Sequence, residues 1–220
     1  MAVGAEPGER MGAAADEKDS ALALPGTVWA LIGACVLVEL VLLGADWRLW
    51  GSPVWRGMAY GYGGFWAGLL RDWVPNYPGQ RVLMFGTYSL LHAGPGHLMG
   101  NVLVIALLGR TVWRRIGSRR LLAVWALAVM AGAGTFGLLS DAPAPMVGAS
   151  GGVFGLAGAA VALYWEDRRS WRGLGGVLGA LVALNFATWA LSDGQMAWET
   201  HLGGFLAGAL ALRASQPRVP

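Results

Sequence analysis

Charge is absent from long stretches of this chain and returns in short, mostly basic segments. A helix needs about twenty apolar residues to cross a bilayer, and several of these stretches reach that length. The first predicted span covers 25–43. The run 82–109 carries no charge, but Gly94, Pro95 and Gly96 interrupt it, and proline suits a first helical turn. The second span is therefore predicted from near Pro95 to Gly109. An arginine-rich loop at 110–120 follows, and the spans 121–140, 146–165, 173–192 and 199–212 complete a set of six. The turn 141–145 contains proline, the loop 166–172 is basic, and the turn 193–198 is short.

The connection between the first two spans, 45–81, is long and carries four arginines (Arg48, Arg56, Arg71, Arg81) and five tryptophans. Its uncharged part, 57–70, is too short to span and reads as an interfacial or re-entrant segment. Glu39 falls near the end of the first span, and its carboxylate is expected to reach water at the interface. The loops after spans two and four hold five and three arginines, and the tail after span six holds two. The short turns after spans three and five hold none. Positive charge favours the cytoplasmic side, which puts both termini there. Residues 1–23 read as a flexible cytoplasmic tail, 24–213 as the membrane domain, and 214–220 as a second short tail.

Apolar residues at 55% and charged residues at 13% agree with a polytopic all-α membrane protein rather than one or two soluble domains. The net charge of +3 is not a nucleic-acid signature, because the arginines sit beside apolar runs. The lone cysteine, Cys35, excludes a disulfide framework and reads as a small packing residue. No metal or other cofactor is implied.

Chemistry narrows to a few residues. Ser150 lies near the start of span four in the stretch MVGASGGVFGLAG, crowded by Gly148, Gly151, Gly152, Gly155 and Gly158. Taken alone, that stretch is a packing helix with an incidental serine, since small residues let membrane helices approach closely. The histidines change the reading. The chain has three, and histidine within a span usually has a function. His92 and His97 fall at the outer end of span two and His201 at the outer end of span six, at the depth of Ser150. A serine hydroxyl needs a base, and His201 is the imidazole available for that task. Gly204 and Gly208, four apart, give span six a glycine face that can meet the one on span four. His97 and Asn101, also four apart, share a helical face. With the Ser150 amide they form a plausible oxyanion hole, although each also reads as a structural hydrogen-bonding residue. Glu199 is poorly placed to orient His201, so a Ser-His dyad is expected rather than a triad. His92, upstream of the glycine–proline break, is expected to brace the loop.

Three motifs in this order resemble the rhomboid intramembrane serine proteases. GASG at 148–151 is similar to that family's GxSG, HAGPGHLMGN to its HxxxxHxxxN, and HLGGFLAG to its HxxGxxxG. The resemblance covers roughly 27–212. It implies a six-transmembrane-helix bundle with a long first loop, Ser150 as nucleophile and His201 as general base. His97, Asn101 and the Ser150 amide would then hold the oxyanion. It also implies transmembrane protein substrates within a lipid bilayer, and the chain's features suit a bacterial inner membrane. Two departures stand out. Phe154 occupies the place where many members stack a tyrosine on the catalytic histidine. The family's Trp-Arg pair shortly before its histidines has no counterpart at Arg81, which follows Gln80. An alternative reading is a catalytically inactive relative that binds membrane clients. A small transporter is disfavoured because spans three and five carry almost no polar residues.

Overall fold

The computed structural model describes residues 23–176, 179, 182–183 and 196–215, and every regular element among them is helical. Helix α1 spans Gly26–Asp46 and follows Pro25. One face of it, through Val28, Ile32, Cys35, Glu39 and Leu42, is buried, while Trp29, Leu37, Leu40 and Val41 are exposed. An apolar outer face on an apolar helix is what lipid contact requires. The helix continues past the predicted end of the span. Glu39 therefore lies about two turns inside it rather than at its mouth.

This overturns the expectation for Glu39, whose side chain is fully buried and salt-bridged to Arg56. A carboxylate at that depth needs a charged partner more than it needs a short path to water.

The first connection is structured. It contains α2 (Val54–Gly63), a 3-10 turn (Ala67–Leu70), α3 (Gln80–Thr87) and a second 3-10 turn (Tyr88–Leu90). Helix α2 buries none of its residues and exposes Val54, Trp55, Met58 and Tyr62, as an interfacial segment should. Just beyond it, Phe65, Ala67 and Leu69 turn inward.

Helix α4 runs Pro95–Leu139. It is two helices joined end to end at Gly117, whose φ of 73° and ψ of 176° break the backbone inside the predicted arginine-rich loop. The arginines on either side of that break are helical, since arginine is a good helix former. The kink divides α4 into two limbs that match the second and third predicted spans. Helices α5 (Ser150–Arg168) and α6 (Trp198–Ser215) match the fourth and sixth. The predicted fifth span, 173–192, falls mostly outside the described residues. Helices α1 and α4 are each long and apolar enough to cross a membrane.

The second limb of α4, α5 and α6 pack at very short range. A Cβ on Gly204 or Gly208 would collide with the carbonyl of Gly151 or Gly155 respectively, and one on Gly155 would strike Ala128. Without a hydrophobic drive between helices in lipid, such close backbone contact is a main source of association.

Candidate active site

The segment before α5 is pinned from two sides. Phe65 and Met146 exchange backbone hydrogen bonds of 3.0 and 2.9 Å, and the Gly148 N–H donates to the Tyr88 carbonyl at 3.0 Å. Gly148 adopts φ 129°, a conformation that favours glycine. A Cβ there would also lie 2.7 Å from Cε1 and 2.9 Å from Nε2 of His97. The glycine is thus doubly required, by its own backbone and by the imidazole edge against it.

Immediately after this bend the chain enters α5 with Ser150 as its first residue. The first amides of a helix have no intrahelical acceptor and carry its positive dipole end. The Ser150 N–H is one of these helix-start amides, two residues after the glycine that meets the His97 ring.

His201 is in the first turns of α6, nearly buried, and stacks face to face on Phe154 with centroids 4.1 Å apart and planes 6° apart. Phe154 is one helical turn beyond Ser150, and Gly204, one turn beyond His201, rests on Gly151. Ser150 and His201 are so brought to one helix–helix contact.

Asn101 is buried, and its amide donates to the His97 carbonyl at 3.0 Å within its own helix. His97 accepts from the Ala93 backbone N–H at Nδ1, 3.3 Å away. An accepting Nδ1 carries no proton, so neutral His97 is protonated at Nε2, the atom that faces Gly148. This is the tautomer an oxyanion donor needs.

His92 is fully buried, with its ring 5.3 Å from that of His97, edge to face. Neither ring nitrogen has a well-aligned hydrogen-bond partner. Burial, and then the neighbouring His97, push its imidazole down to about 4. Its contribution to the loop is made by the backbone. The His92 carbonyl accepts from Arg56 at 2.9 Å and from the Tyr60 hydroxyl at 2.7 Å.

Arg56 is a residue that sequence reasoning passed over. It binds both oxygens of Glu39 at 3.0 Å and Asp46 at 2.7 Å while reaching His92. These charge-assisted bonds hold its guanidinium well above the usual range against the burial that opposes them. The peptide joining His92 to Ala93 is thereby gripped twice, at its carbonyl by Arg56 and Tyr60 and at its N–H by His97. Tyr88 was also missed. Its buried hydroxyl donates to the Val129 carbonyl of α4 at 2.9 Å and lies against Gly151, where a Cβ would collide with it. The available signal for Arg56 was Glu39 itself, since an ionisable residue in a span calls for a partner.

A family model, the Rhomboid domain, matches residues 79–215. The rhomboid protease GluP of Bacillus subtilis (strain 168) is 30% identical over 129 residues, which is 58% of this chain and 25% of that protein. The chain thus aligns with about a quarter of that relative's length. Since the Rhomboid domain match takes in well over half of its residues, this chain belongs to the rhomboid family.

Proposed function

We propose that the chain is an intramembrane serine endopeptidase that cleaves transmembrane segments of other membrane proteins. The observation that carries this is the convergence of Ser150, His97 and His201 at the outer ends of α4, α5 and α6, with Phe154 stacked on His201. In this reading the bundle has six spans, both termini lie in the cytoplasm, and the membrane is the bacterial inner membrane.

Ser150 Oγ attacks the substrate carbonyl as His201 takes its proton. The oxyanion is held by the Ser150 N–H, His97 Nε2–H and the Asn101 amide. Asn101 has one N–H engaged with His97 and a second still to give. His201 then returns the proton to the leaving amine as the C–N bond breaks. Water, activated by the same imidazole, hydrolyses the acyl-enzyme to a carboxylic acid and restores Ser150. The substrate helix unwinds locally beforehand, because its peptide groups are already paired. Phe154 keeps the ring of His201 in plane without the hydroxyl of a tyrosine.

The test is labelling by a fluorophosphonate in membranes, paired with cleavage of a transmembrane substrate. Wild type should label and cleave. Ser150→Ala should lose labelling, and both Ser150→Ala and His201→Ala should lose at least about a thousandfold in cleavage while remaining folded. A folded wild type that neither labels nor cleaves would favour the client-binding alternative.

A further inference from the structure

We propose that the basic end of the second span holds the phosphate of an anionic phospholipid, with Arg110 and Arg114 as its ligands. A cavity of about 360 Å³ lies there between the start of α1 and the first limb of α4, lined by Leu24, Ala106, Leu107, Arg110, Thr111 and Arg114. Among the described residues no carboxylate lines it. The Nε of Arg110 is buried and has no hydrogen-bond partner among them. A buried guanidinium N–H left unpaired is costly, and a phosphate oxygen is among its strongest acceptors.

The depth suits a headgroup. Gly109 packs against Val28 in the first turns of α1, so the cavity is level with the place where both helices leave the uncharged part of the chain. The neighbouring Arg115 is directed elsewhere, bound by both oxygens of Asp167 at 2.7 and 2.8 Å. Thr111 gives its hydroxyl proton to the Leu107 carbonyl and forms wall rather than donor.

The surface beside the cavity selects a lipid over a free anion. Leu103, Leu107, Arg110 and Arg114 follow one another at helical spacing along a single stripe. Leu103 is 57% exposed and Leu107 is 61% exposed. An acyl chain lying along these leucines would place its phosphate at the two arginines. Inorganic phosphate would use the arginines and leave the leucines bare.

The test uses the full chain in detergent, with bound lipid counted by native mass spectrometry. Phosphatidylglycerol should bind tighter than phosphatidylcholine of the same chains. Arg110→Gln should weaken the anionic lipid about fivefold, and the double variant with Arg114→Gln about 25-fold. The double variant Arg119→Gln/Arg120→Gln, on the same basic segment, should bind as wild type does. Melting temperature checks the fold of each variant, and the lipid count does not depend on proteolysis. Equal binding of the two lipids, or equal loss in the Arg119/Arg120 variant, would overturn the site. Displacement of phosphatidylglycerol by millimolar inorganic phosphate would show a general anion pocket instead.

Discussion

The two histidines of the candidate site are held by opposite means. His97 stands at the end of a polar chain that begins at the buried carboxylate of Glu39, passes through Arg56 and crosses one peptide group. The helix that carries His201 is seated by close backbone contact, Gly204 and Gly208 on the carbonyls of Gly151 and Gly155, with the face of Phe154 against the His201 ring. The first arrangement is directional and fixes a tautomer. The second fixes the spacing of two helices and the plane of a ring.

The comparison predicts that damage to the polar side is the more severe. Arg56→Ala leaves Glu39 buried and unpaired, which should cost about 3–5 kcal/mol. Replacing both partners, as Arg56→Met with Glu39→Met, should recover most of that stability, because a packed apolar pair avoids the desolvation of two charges. It should not recover catalysis, since the His92 carbonyl has then lost its arginine donor. Unfolding in detergent, run beside the rate of fluorophosphonate labelling, separates the two effects. A double variant that labels at the wild-type rate would reduce Arg56 to a structural brace.

The next effect is on pH. His92 titrates near 4 in the folded protein and near its ordinary 6.5 when unfolded. Between those values the unfolded chain binds the extra proton, so stability is complete above about pH 6.5 and falls as pH drops towards 4. The loss is on the order of 3 kcal/mol. His92→Gln should flatten the pH dependence of the melting temperature across that window. An unchanged slope would show that another group carries it.

On the packed side, Gly204→Ala and Gly208→Ala each drive a methyl group into a backbone carbonyl of α5. Overpacking of this kind costs about 1–3 kcal/mol. Activity should fall further than stability does, because the displacement separates His201 from Ser150. Gly100→Ala is the control. Nothing lies within 4 Å of a Cβ there, so alanine should be neutral or slightly stabilising in that helix. If Gly204→Ala were as mild as Gly100→Ala, the close approach of α5 and α6 would not be what places the base.

The sequence shows the packed side more readily than the polar side. Apolar runs without charge reveal their helices directly, and a histidine four residues from an asparagine needs no fold to suggest a shared face. Ser150, His201, His97 and Asn101 could all be picked out by rarity and spacing. Arg56 could not, because four arginines lie in 45–81 and only the path of the chain selects which meets Glu39. Glu39 was misplaced for a related reason. Counting apolar residues ends the first span at 43, whereas α1 carries on to Asp46 and takes the carboxylate inside with it. The basic segment 110–120 does hold the break between the second and third predicted spans, but charge density signals the membrane boundary and does not show how short the break is, with only Gly117 non-helical.

The smallest predicted effect tests how the ring of His201 is kept in place. Phe154→Leu keeps the apolar volume but removes the parallel ring, a contact worth about 1 kcal/mol beyond burial. That corresponds to roughly a fivefold fall in turnover if the stack matters only for the orientation of the base. Phe154→Tyr restores the ring and adds a hydroxyl, and it should stay within about twofold of wild type if stacking alone positions the imidazole. A tyrosine variant several times faster than wild type would mean that the hydroxyl contributes separately. A leucine variant indistinguishable from wild type would mean that the glycine contact beneath His201 is sufficient, and the packed side would then need no aromatic partner at all.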